Sequence, residues 1–183
     1  MKEVLVKTTI RKQCKLMLFI AISVAIMFNA NSLLAKTQHI TLEPASDVSF
    51  SGETIAVKIL YNVLEGKKKT SGIGLRIHFN SKFIDAMTLT DVYGEGMIGQ
   101  HYTPQTDVEN LDGDANTDKF IIVAWASITR NWPVFLDMPG QLAVLSVKIK
   151  ADAPNAETKI NVTSSSNAAN YDFESQSARL LIQ

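Results

Sequence analysis

The sequence predicts an all-β protein, a two-sheet β-sandwich of about eight strands behind an export signal. Three observations carry that prediction. From His39 onward, apolar residues alternate with period two in short stretches separated by turn residues. No stretch there shows the 3.6-residue spacing of an amphipathic helix. The first 35 residues differ in composition from everything after them.

That first segment, residues 1–35, reads as a signal peptide. Lys2, Lys7, Arg11, Lys12 and Lys15 make it basic, against the single acid Glu3. An uncharged run follows from Leu16 to Phe28. It matches the apolar core of a signal peptide and falls short of the roughly 20 residues that span a bilayer. Cleavage is expected after Ala35, with cuts after Ala30 or Ser32 and retention as an uncleaved anchor as alternatives. The expected mature chain is one domain, residues 36–183. It is secreted, periplasmic or at the cell surface, with no membrane insertion of its own. Cys14 is the only cysteine and precedes the apolar run, so no disulfide, thiol nucleophile or cysteine-based metal site is expected in the domain. Of 18 basic and 18 acidic residues, five and one belong to the first segment, which leaves the domain at a formal −4. Such a domain lacks the basic footprint of nucleic-acid binding.

The elements follow in order. Ile40 and Leu42 alternate with polar neighbours up to Pro44. Ile55, Val57, Ile59 and Tyr61 alternate with Ala56, Lys58, Leu60 and Asn62, a strand apolar enough for cover on both faces. Glu65-Gly66 and Lys67 to Lys69 form a solvated hairpin loop or a protected edge. The cleanest alternation comes next. Ile73, Leu75, Ile77 and Phe79 point inward, while Gly74, Arg76, His78 and Asn80 point to solvent or a partner. Asn80-Ser81 is a turn, and Phe83 to Tyr93 a short turn leading into a strand. Gly94 to Thr117 is expected to be a long irregular connection, of a length that is usually functional or mobile. In Lys119 to Ser127, Phe120, Ile122 and Ala124 share one face and Ile121, Val123 and Trp125 the other. A strand apolar on both faces is central, or shows one face to a partner. Thr129 to Pro139 is a loop, Gln141 to Lys150 a strand with Leu145, Val147 and Ile149 inward, and Lys159 to Thr163 a strand. Ser164 to Asn170 is polar loop, and Arg179 to Ile182 closes the sandwich.

Oxygen ligands are densest in D-G-D-A-N-T-D and the residues just before it. Asp107, Asp112, Asp114, Asn116 and Asp118, with Glu109 beside them, converge on a structural calcium ion if the chain coils back on itself. An EF-hand loop starting at Asp112 fails at its sixth position, Thr117, and at its twelfth, Val123. The other reading is a solvated, Asx-rich turn. Trp132, followed by Pro133 in a loop, is either an exposed platform for sugar rings or a plug closing one end of the sandwich. Trp125 lies inside a strand, so core packing is its expected role, ahead of a share in such a platform. His39, His78 and His101 lie on three different elements and show no zinc-ligand spacing. Arg76, His78 and Asn80 form either a binding surface or a solvated strand face. No catalytic residues are assigned, because the chain has no G-x-S-x-G, phosphate loop or H-E-x-x-H.

The segment GIGLRIHFNSKFIDAMTLTDVYGEG resembles the cohesin-like and carbohydrate-binding-module-like sandwiches of bacterial extracellular proteins. In these a strand ending in an F-[DN] pair leads through a short turn to a hydrophobic strand and a glycine. Phe79-Asn80, Phe83-Ile84 and Gly94 match that order. TDKFIIVAWASITRNWP and QLAVLSVKIKADA look like the second half, with Val147 where an aromatic often sits. The resemblance runs from about Ile40 to Ile182. It implies a jelly-roll sandwich of eight or nine strands and an exported, non-enzymatic binding module whose partner is a dockerin-type protein or a polysaccharide. Protein recognition, on a flat sheet face, ranks above polysaccharide binding at Trp132. A small hydrolase is the third reading.

Overall fold

The computed structural model describes residues 36–183; the expected signal peptide lies outside the described residues. These form eleven strands and no helix: β1 (Thr37–Pro44), β2 (Val48–Ser49), β3 (Thr54–Leu64), β4 (Gly72–Phe79), β5 (Ile84–Thr90), β6 (Met97–Thr106), β7 (Lys119–Ala126), β8 (Gly140–Ile149), β9 (Glu157–Ser166), β10 (Asp172–Gln176) and β11 (Ala178–Ile182). A five-stranded sheet runs β10-β1-β3-β8-β5 and a six-stranded sheet β2-β11-β9-β4-β7-β6. The chain changes sheet at most connections, as a jelly roll does.

The period-two pattern builds the core. Val57, Ile59 and Tyr61 of β3 and Leu145, Val147 and Ile149 of β8 face Ile73, Leu75, Ile77 and Phe79 of β4, and all are buried. The other face of β3 is not covered, since Ala56 and Lys58 are exposed.

Three expectations change here. The sandwich has more strands than eight or nine. The connection expected from Gly94 to Thr117 contains β6, and β10 follows the loop expected at Ser164 to Asn170. Both strands are sheet edges, β6 paired only with β7 and β10 only with β1. Their side chains are mostly exposed and polar, so no alternation marks them. β6 also shifts register between Met97 and Gly99 and between His101 and Gln105. Main-chain hydrogen bonds, not side-chain burial, make it a strand. The third change is at β9, which runs on to Ser166 beyond the expected end at Thr163.

Trp132 closes one end of the sandwich. It is only 1 % exposed, so the platform reading is corrected in favour of the plug. Its ring packs 5.1 Å from Tyr61, 6.3 Å from Tyr93 and 6.2 Å from Trp125. The indole N–H donates to the Glu95 carbonyl at 2.9 Å, and Trp125 donates to the Tyr93 carbonyl at 2.8 Å. Main-chain bonds between Thr70 and Trp132 seat the loop in both directions. Gly96 lies against this ring with φ near 74°, and a Cβ there would meet Trp132 Cδ1 at 2.7 Å. Beneath the plug, buried Gln38 donates to the Tyr61 hydroxyl and the Gly72 carbonyl and accepts from the Ala168 amide.

Trp132→Ala is expected to lower unfolding free energy by about 3–5 kcal/mol in denaturant titration, the usual loss for a buried aromatic. The exposed neighbour Phe135→Ala should change it by no more than about 0.5 kcal/mol.

Candidate functional site

The outer face of the six-stranded sheet carries the side chains that bear on function. β4 turns Gly74, Arg76 and His78 outward, opposite Ala124, Ile122 and Phe120 of β7. His101 and Gln105 of β6 and Thr163 and Asn161 of β9 complete that face. The acidic loop between β6 and β7 folds back over one end of it.

The loop is closed at its base, where the Asp107 amide donates to the Asp118 carbonyl at 2.9 Å. Turns inside it bond Asn110 to Asp107, Gly113 to Asn110 and Thr117 to Asp114. Asn110 and Gly113 take positive φ, near 52° and 74°, the conformation that Asn and Gly tolerate best. Asp107 reaches down to the sheet. Its carboxylate accepts from the Leu111 amide and from His78 Nδ1 at 2.9 Å. His78 Nε2 then accepts from the Thr163 hydroxyl at 2.8 Å, and Phe120 packs against the imidazole at 5.4 Å.

His78 is therefore 0 % exposed, which corrects the reading of it as an outward, solvated residue. The strand alternation was right; what sequence could not show is the loop lying over it. Burial pushes the imidazole below its ordinary pKa, against the pull of Asp112 and Asp107. Thr163, His78 and Asp107 stand in the order of a hydrolase relay. The imidazole is fully buried, and its two bonds tie the loop to β9. Asn80 is also buried, so it too leaves the proposed binding surface. Its side-chain Oδ1 caps the following turn by accepting from the Lys82 amide. Arg76 stays partly exposed, with Nη1 donating to the Ser164 carbonyl at 2.8 Å.

The five loop residues read as calcium ligands divide into three groups. Asp107 and Asp112 approach each other beside His78. Asp112 accepts from Thr117 Oγ1 at 2.6 Å and Asn161 Nδ2 at 2.8 Å. Asp114 and Asn116 bond to one another in an Asx turn, at 2.9–3.0 Å. Asp118 faces away toward Ser81, whose amide and hydroxyl donate to it at 2.7 and 2.6 Å.

Around Arg76 lies a shallow cleft of about 320 Å³, lined by Gln105, Val108, Glu109, Leu111, Phe120 and Ile122 among others. Val108 is 87 % exposed, and Ile98 on β6 is 68 % exposed. Ile122 and Ala124 are half-buried. Of the two readings offered for β7, the central strand is the one seen. It is flanked on both sides within the sheet, and its outer face is apolar with no second layer over it. Val108 and Ile98 were not singled out from sequence, because Val108 stands alone in a polar stretch and Ile98 sits in a glycine-rich one with no alternation.

No family model matches the chain, and no curated protein is similar to it. Solved structures are similar, and they are cohesins. The sixth cohesin of scaffoldin B from Acetivibrio cellulolyticus, solved with a dockerin, has a TM-score of 0.54 at 10 % identity and covers 80 % of this chain and 99 % of its own. The third cohesin of ScaC from the same organism, also solved with a dockerin, has a TM-score of 0.52 at 13 % identity and covers 80 % and 98 %. A type II cohesin domain from the A. cellulolyticus cellulosome has a TM-score of 0.51 at 11 % identity, covering 79 % and 95 %. At these identities the likeness is one of fold. Residues 36–183 form a cohesin-like β-sandwich.

Asp118 shows how the loop's far end is held. Burial alone would raise its carboxyl, but the two bonds from Ser81 hold it below the ordinary value. A depressed folded pKa contributes stability that is present above the unfolded value of about 3.9 and is lost as pH falls through the folded one. Ser81→Ala should cost about 1.5–3 kcal/mol near neutral pH, the range for a hydrogen bond to a charged group. In denaturant titrations at falling pH, its deficit from wild type should shrink once Asp118 is protonated in the folded protein.

Proposed function

We propose that the chain is an exported, non-catalytic recognition module of the cohesin kind, which binds a dockerin-type protein on the outer face of its six-stranded sheet. The observation that carries this is the half-buried apolar face of β7 at Ile122 and Ala124, beside the Arg76 cleft lined by exposed Val108, with exposed Ile98 on the neighbouring strand β6. Patches of this make-up, apolar with an arginine, are where binding energy concentrates in protein interfaces. Export rests on the composition of residues 1–35. Support for the partner class comes from the similar cohesins that were solved with dockerins.

Size is consistent with a protein partner. Four neighbouring strands, β9-β4-β7-β6, span about 19 Å across and about 26 Å along eight residues, or roughly 500 Å² of plan area. A standard interface buries about 800 Å² of accessible surface per partner. The raised rim of Val108, Glu109 and Leu111 supplies relief beyond the flat sheet. Polysaccharide binding is the weaker reading, because Trp132, the aromatic residue it relied on, is buried in the plug.

A panel of type I and type II dockerins, each immobilised in calcium, tests the proposal. At least one is expected to bind. Ile98→Asp and Val108→Asp should each weaken that binding at least tenfold without moving the melting temperature, because both side chains are exposed. Undiminished binding by both variants would rule out this face. No binding across the panel, with retention on a polysaccharide column instead, would favour the other partner class.

A further inference from the structure

A second group of side chains points to a ligand of another kind, independently of any protein partner. His78 of β4 and Asp107 and Asp112 of the acidic loop each bring one donor atom to a point where all three lie within 4.8 Å of one another. We propose that His78, Asp107 and Asp112 bind one divalent first-row transition ion of the zinc type, in place of the calcium ion expected for the loop.

The donors select the ion. One imidazole nitrogen and two carboxylate oxygens make a zinc-type set. Calcium takes six to eight oxygens, and of the loop's acids only Asp107 and Asp112 join His78 in this group. Asp114 is engaged by Asn116, and Asp118 is engaged by Ser81.

Charge supplies an independent argument. The Asp107 side chain is wholly buried, and among the described residues no lysine or arginine pairs with it or with Asp112. Asp112 beside it is partly buried, and a buried carboxylate next to a second one without a cation is costly, a cost that a dication offsets directly.

Groups from outside the triad hold the ligands in place. Thr163 fixes the imidazole through Nε2, and Asn161 and Thr117 fix the Asp112 carboxylate. Outer contacts of this sort orient ligands at metal sites. Ligands at zinc distances around a tetrahedron stand about 3.3 Å apart. His78 Nδ1 and Asp107 are now 2.9 Å apart and must separate by a few tenths of an ångström, while Asp112 moves in. The ion takes the place of the proton that His78 Nδ1 shares with Asp107. That proton moves to Nε2, and the Thr163 hydroxyl turns from donating to accepting, so the imidazole remains neutral. Three protein ligands leave the fourth position to water.

Cobalt(II) is the probe, added to the full chain after chelator treatment and dialysis. One equivalent should bind with the visible absorption of a four-coordinate nitrogen–oxygen site, and one equivalent of zinc should displace it. Asp112→Asn keeps the shape of the side chain and should weaken binding at least tenfold. Thr163→Val should weaken it about 10- to 100-fold, the usual effect of losing an outer contact. Asp118→Asn should leave it unchanged. Circular dichroism of each variant separates lost binding from lost folding, and Thr163→Val keeps the test open if Asp112→Asn fails to fold. Absence of a visible spectrum at millimolar cobalt would overturn the proposal. So would undiminished binding by both folded variants, or displacement of cobalt by equimolar calcium.

Discussion

The shape of the six-stranded sheet's outer face depends on the contact between His78 and Asp107. β4 is the middle of the six-stranded sheet's working region, and its outward residues meet water unless something lies over them. Asp107 brings the loop down at one end of that face and spans the distance from the β6 edge to β9 through His78 and Thr163. The contact buries an imidazole that alternation alone would expose. It also raises Val108, Glu109 and Leu111 into a rim beside Arg76. It is one of three ties on the acidic loop, with Asn161 holding Asp112 to β9 and Ser81 holding Asp118 at the loop's far end. A bulge-containing edge strand, β6, supplies the reach, since its register shifts leave the loop free to fold inward.

The opposite end of β7 is built by different physics. There the chain seals the core with aromatic rings, and both indoles place their N–H groups on loop carbonyls. Each tryptophan thereby brings apolar area into the core and leaves no buried donor without a partner. The two ends divide the work. The Trp132 end packs the core, and the His78 end shapes the outer face of the sheet. Residues 36–183 contain no cysteine, so packing of this kind, not a disulfide, holds the sandwich together.

Much of the fold was legible in the sequence because the core strands obey period two. Ile73, Leu75, Ile77 and Phe79 were assigned inward from their spacing, and all are buried. Trp125 was placed in the core for the same reason. β6 and β10 were illegible because edge strands bury little, so their side chains carry no pattern for burial to impose. The site was legible only in part. Acid density located the loop, but which carboxylates meet depends on three turns whose directions no spacing rule records. His78 and Asp107 are 29 residues apart, and Thr163 lies 85 residues from His78. Their meeting is a product of topology. Trp132-Pro133 offered two readings, and only the packing against Tyr61, Tyr93 and Trp125 decides between them.

A cohesin-like sandwich, an apolar outer face on β7 and a loop pinned beside it form one consistent account of a recognition module. The account places the partner on β4, β6 and β7 and on the rim at residues 107–111, and places the Trp132 end outside the interface. Amide hydrogen exchange of the full chain, measured with and without a saturating dockerin-type partner, tests this most directly. The account predicts added protection in β6, β7 and residues 107–111, with residues 127–135 unchanged. Protection centred on residues 127–135, with none on β6 and β7, would contradict it.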